Sequence, residues 1–167
     1  MTRQQGATPS TEPAGTEAAG TLPDAPAASP PARFAVRAYT LGIYLLALAV
    51  LIQFLLAGLG IFFDYQYLTF WHATVGAAVI GGLSLLLIAV GRLGRVQSRT
   101  LWLTAAVFGL VVLQSLLLAP YHMNASGLLR AVSGLHVVNA LLIFWVVIRL
   151  LERTSARGVT APSRMQA

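Results

Sequence analysis

Apolar residues run along this chain in four long blocks, over residues 35–62, 70–91, 101–119 and 131–151. Each block is close to the ~20 residues that cross ~30 Å of hydrocarbon as a helix. Backbone polar groups cannot stay unpaired in lipid, so such blocks must be helical. The alternation of a membrane β-barrel strand is absent. The pattern therefore predicts an all-α integral membrane four-helix bundle, up-down-up-down, with helices at about 35–62, 68–91, 100–119 and 130–152. These make one transmembrane domain over 34–153.

The flanks differ from the blocks. Residues 1–33 are rich in Pro, Ala, Thr, Gly and Glu and hold six of the eight prolines. So few large apolar side chains predict a disordered cytoplasmic tail. Residues 154–167 read as a second, flexible cytoplasmic tail. No short apolar core marks the N-terminus as a signal peptide.

Composition agrees. The 167 residues are 57% hydrophobic and 10% charged, against roughly 25% charged in soluble domains. Net charge is +6, and all 11 basic residues are arginine. They sit at the ends of the blocks rather than in one patch, so a nucleic-acid partner is not expected; the lipid bilayer is. Arg33 and Arg37 precede the first block. Arg92, Arg95 and Arg99 follow the second, and Arg149, Arg153 and Arg157 close the fourth. The opposite ends carry only Arg130 and Asp64. The positive-inside rule puts both termini in the cytoplasm. Tyr65, Tyr67, Phe70, Trp71 and Tyr121 form an aromatic belt at the outer ends.

The two halves look like copies of one hairpin. Gln53 lies in Val50-Leu51-Ile52-Gln53-Phe54-Leu55-Leu56, and Gln114 in Val111-Val112-Leu113-Gln114-Ser115-Leu116-Leu117. Each hairpin then carries a histidine, His72 or His136. The glutamine offset is 114 − 53 = 61 and the histidine offset is 136 − 72 = 64. Parallel repeats related about the membrane normal are a known arrangement.

Polar residues inside spans are costly and point to function. Here they are Gln53, His72, Gln114, His136 and Asn139. Two neutral imidazoles facing each other across a bundle can take both axial positions of a haem iron. Gly76 and its small neighbours let helix 2 approach a flat macrocycle or another helix. Asn139 can bond a propionate or the neighbouring helix. Gln53 and Gln114 can orient an imidazole. The competing reading makes these residues interhelical fasteners in a scaffold or accessory subunit, worth only ~0.6 kcal/mol per bond. A proton path is a third, disfavoured by the lack of acids within the spans. His122 is expected to be an exposed loop residue. Glu152 is expected to pair with Arg149 or Arg153. Without cysteine there are no thiolate sites, and no catalytic constellation marks the chain as an enzyme.

Three stretches, Gln53-Phe54-Leu55-Leu56-Ala57-Gly58-Leu59-Gly60, His72-Ala73-Thr74-Val75-Gly76 and residues 135–144, resemble a family of small four-span membrane proteins of unknown function from high-GC bacteria. That resemblance covers about 35–153 and implies the bacterial cytoplasmic (inner) membrane. The placement of His72 and His136 also resembles one half of haem A synthase, where such a pair binds haem. Thr69 and Ala73 stand where that family has Glu and Arg. The resemblance thus implies a haem-binding bundle rather than haem A synthesis. The function expected is binding of one haem b near the outer face for electron transfer to a redox partner.

Overall fold

The computed structural model describes residues 29–159, with side chains to 156. The residues expected to be disordered, 1–28, and flexible, 160–167, lie outside the described residues. Four helices long and apolar enough to cross a membrane follow one another: α1 (Pro30–Phe62), α2 (Tyr65–Leu93), α3 (Ser98–His122) and α4 (Gly127–Ala156). The helical backbone of α4 continues to Val159. No strand occurs among the described residues.

All four helices exceed their expected bounds, for local reasons. Pro30 and Pro31 open α1, so residues 30–33 of the expected tail are helical. Proline suits a first helical turn because its φ is already helical and its missing N–H would have been unpaired there. Asp64 caps α2 by accepting from the Tyr67 N–H at 3.0 Å, which starts that helix at Tyr65 rather than near 68. An N-terminal cap satisfies one of the orphan donors of the first turn. The expected C-terminal tail likewise loses 154–159 to α4.

Neighbours in sequence pack together, and α4 closes the ring by packing on α1. Two faces of α1 show why no polar stripe is visible in the sequence. Tyr39, Ile43, Leu46 and Val50 point inward and are buried. Leu41, Leu45, Leu48 and Leu55 point outward, each about half exposed or more. A helix that is apolar all round belongs in a core or in lipid. Large exposed leucines on the outer face suit a hydrocarbon surround.

Packing is uneven along the bundle axis. The buried core draws on Tyr39 to Val50 of α1, the second half of α2, α3 up to Val111 and the second half of α4. It therefore fills the end that carries the arginines. There Gly91 of α2 lies so close to Tyr39 that an added Cβ would come within 2.9 Å of its ring. The Tyr39 hydroxyl crosses the bundle to Thr104 Oγ1 of α3 at 2.6 Å. Thr104 uses its own proton on the Thr100 carbonyl, so Tyr39 is the donor. The opposite half has no comparable core. It holds a cavity instead.

Candidate functional site

The two histidine-bearing helices leave regular α geometry beside their histidines. In α2 a π-helical stretch, Val75–Gly81, follows His72. In α4 a 3-10 turn, Val132–Gly134, precedes His136. Gly76, Gly81, Ser133 and Gly134 are poor helix formers, which makes the departure cheap. Such irregular turns recur at functional sites.

The cavity between them measures about 700 Å³, within the range of roughly 300–1,000 Å³ typical of ligand sites. Its wall follows the internal repeat. Val50 and Val111, Gln53 and Gln114, and Ala57 and Leu118 pair at the offset of 61. Thr69 and Ser133, His72 and His136, and Gly76 and Ala140 pair at the offset of 64. Equivalent positions of the two hairpins thus face one another across a shared space.

His72 and His136 meet there. Their ring centres are 6.2 Å apart and the rings are inclined by 73°. The earlier start of α2 explains why they share a depth. His72 lies 72 − 65 = 7 residues into its helix and His136 lies 136 − 127 = 9 residues into α4, or ~10 and ~14 Å.

Each ring is held through Nδ1. His72 Nδ1 lies 3.2 Å from the carbonyl of Gln53, and the Gln53 amide donates back to the His72 carbonyl at 2.8 Å. A carbonyl only accepts, so His72 carries its proton on Nδ1 and presents an Nε2 lone pair. Gly76 allows this contact: an added Cβ would stand 2.8 Å from Gln53 Nε2. Of the two expectations for Gly76, approach to another helix is the one the geometry matches, and Gly76 also lines the cavity.

The second hairpin uses side chains. Asn139 Nδ2 donates to the Leu110 carbonyl at 2.9 Å and to Gln114 Oε1. Gln114 Nε2 then reaches His136 Nδ1. The backbone carbonyl fixes the sense of this chain, so His136 Nδ1 accepts and the proton sits on Nε2. Asn139 is buried and does not line the cavity. It fastens α4 to α3, the interhelical alternative of its two expected roles.

Two polar atoms in the wall, Gln53 Oε1 and Ser133 Oγ, are buried without a hydrogen-bond partner. Buried polar atoms normally have one. No cluster of three or more His, Cys, Asp or Glu side chains able to hold a bare metal ion occurs among the described residues.

The mouth is aromatic, with an arginine beside it. The hydroxyls of Tyr65 and Tyr121 are 2.8 Å apart, and the Arg130 guanidinium lies 5.3 Å from the centre of the Tyr121 ring. His122 is the last residue of α3 rather than a loop residue, and it lines this mouth while remaining exposed. Sequence reasoning also passed over Tyr65, Tyr121 and Ser133 as site residues. Ser133 was reachable from the repeat, since it matches Thr69 at the histidine offset. At the other end Glu152 pairs with Arg149 at 2.8 Å, one of the two partners expected.

Similarity to known proteins covers part of this site. A profile of the family of unknown function DUF6220 matches residues 53–120, which takes in Gln53, His72 and Gln114 and stops before His136. No curated protein and no solved structure matches the chain.

Proposed function

We propose that this chain is an up-down-up-down bundle of the bacterial cytoplasmic membrane, with both termini cytoplasmic, and that its outer cavity holds one haem b between His72 and His136 for electron transfer to a redox partner. The carrying observation is the distance between the two rings. An iron held by both imidazoles would need ~2 Å to each nitrogen, and with ~1.1 Å from nitrogen to ring centre that would set the two rings about 6 Å apart. The pair here stands at 6.2 Å. Both Nδ1 atoms are engaged by protein groups, which leaves the Nε2 atoms for the cavity. Orienting a ligand imidazole through its second nitrogen is the usual role of such partners.

A haem held in this way supplies one-electron transfer. The chain's own residues do the rest. His72 is already the tautomer that ligates, with its Nε2 lone pair free. His136 is not, because Gln114 donates to its Nδ1. Ligation by His136 goes with a turn of the Gln114 amide, so that Oε1 accepts from Nδ1–H. The apolar wall excludes water. Tyr65 and Tyr121 in the wall, with Arg130 beside Tyr121, suit the carboxylates of the propionates.

The opposite senses of the two histidines favour one further reading, in which the ligand is a quinone-like molecule. His136 Nε2–H would donate to its carbonyl, and His72 Nε2 would accept from its hydroxyl in the reduced form.

The visible absorption spectrum of the detergent-purified protein, oxidised and dithionite-reduced, separates these readings. Sharp low-spin b-type bands, lost in His72→Ala and in His136→Ala, are the expected result. A colourless, folded protein from a haem-replete host sinks the haem assignment. Solvent-extractable quinone would then support the second reading. Its absence would leave a scaffold whose histidines and glutamines fasten helices.

A further inference from the structure

At the packed end of the bundle a groove of about 480 Å³ lies between the start of α1 and the turn joining α2 to α3. Arg33 and Arg37 reach it from α1, and Arg95 from the turn. The turn sits on α1 itself: an added Cβ on Gly94 would be 3.1 Å from the backbone nitrogen of Val36. Buried Val96 anchors it.

Arg95 occupies an unusual position. The Val96 N–H bonds to the Gly91 carbonyl at 2.9 Å and the Arg95 N–H to the Arg92 carbonyl at 3.1 Å. That pair of bonds is the Schellman close of a helix, whose left-handed residue is normally glycine. Here it is Arg95, at φ 53°. A side chain with a Cβ is strained there, and glycine stands one place too early, at Gly94. The chain therefore keeps an arginine where folding favours glycine. Strain of this kind points toward function.

Among the described residues no carboxylate pairs with these three arginines, and the ion pair is Arg149 with Glu152, far along α4. Three guanidinium groups around one groove offer a site to an anion. Val36 lines the groove, and Phe34 and Leu93, next in sequence to Arg33 and Gly94, are exposed apolar residues. An anion with an apolar body fits both features, whereas free phosphate would use only the charge.

We infer that this groove binds the phosphodiester of an anionic membrane phospholipid, with Arg33, Arg37 and Arg95 on the phosphate and the acyl chains along the apolar flank. Guanidinium forks match phosphate oxygens in geometry, and basic pockets between membrane helices recognise such head groups. The inference is independent of what fills the outer cavity.

The test uses the full-length protein in neutral detergent. Binding of phosphatidylglycerol and of phosphatidylcholine with the same acyl chains is followed by native mass spectrometry and by the thermal midpoint. Phosphatidylglycerol should bind and raise the midpoint, and phosphatidylcholine should do neither. Arg33→Gln, Arg37→Gln and Arg95→Gly should each weaken phosphatidylglycerol binding about fivefold. The charge-matched Arg99→Gln, outside the groove, should not. Arg95→Gly relieves the left-handed strain, so its midpoint without lipid should equal or exceed the wild type. That result separates a binding role from a folding role. Equal retention of both lipids overturns the inference. So does an equal loss in Arg99→Gln, which would mean diffuse charge attraction. Displacement of the lipid by inorganic phosphate at the same concentration would show a free-anion site and overturn it too.

Discussion

Replacing Asn139 with leucine should weaken the fold and tighten the cavity's hold on haem. Asn139 holds Gln114 by its Oε1 and anchors on the Leu110 carbonyl at 2.9 Å. With Oε1 engaged, the amide nitrogen is the atom that reaches His136 Nδ1. That arrangement keeps His136 in the wrong tautomer for ligation through Nε2. Turning the Gln114 amide gives up its bond from Asn139. An interhelical hydrogen bond in a membrane protein contributes ~0.6 kcal/mol on average and ~1.7 at most. Losing one on binding therefore lowers haem affinity by about three- to twentyfold. In Asn139→Leu that loss is already made. The apo variant should be about 1 kcal/mol less stable, having lost two bonds to α3. Its haem affinity should rise by the same three- to twentyfold. The assay is titration of the detergent-solubilised protein with haemin, followed at the Soret band, alongside reversible unfolding of the apo form. A folded Asn139→Leu that binds haem more weakly than the wild type refutes the reasoning. Asn139 would then support the binding-competent state.

Other substitutions probe the two halves separately. Gly91→Leu at the packed end should cost about 1–3 kcal/mol by overpacking against Tyr39 and Leu101. Gly58→Leu, where an added Cβ meets nothing within 4 Å, should stay within about 0.5 kcal/mol in the same unfolding assay. Tyr39→Phe removes the 2.6 Å bond to Thr104. It should lower stability by ~0.6–1.7 kcal/mol and leave the reduced spectrum unchanged. Gly76→Val forces Gln53 away and breaks its bond to the His72 carbonyl. Its Soret titration should show several-fold weaker haem binding, and an unchanged titration would remove Gln53 from the positioning of His72.

The sequence determined the helical class and the number of helices long and apolar enough to span a membrane, and it singled out polar residues that the fold brings together. Its evidence was physical: an apolar block of span length has one hydrogen-bonded solution in lipid. The duplicated Gln and His positions were also legible, because the repeat places them at nearly equal offsets. The helix ends were read short, since Asp64 and the Pro30-Pro31 pair act through local backbone bonding rather than hydropathy.

Tertiary structure alone decided which half of the bundle is filled. Both halves of every span are apolar, so hydropathy cannot tell a core from a cavity wall. The difference arises from close approach at Gly42, Gly91 and Gly94 at one end, and from its absence between α2 and α4 at the other. The roles of the polar residues were equally out of reach. Whether Asn139 faced the cavity or α3, and which nitrogen of each histidine is free, depend on which carbonyl lies within 3 Å. That is fixed by the rotation of each helix about its own axis. The π-helical and 3-10 turns beside the histidines contribute to that rotation, and an even apolar pattern contains no signal for it.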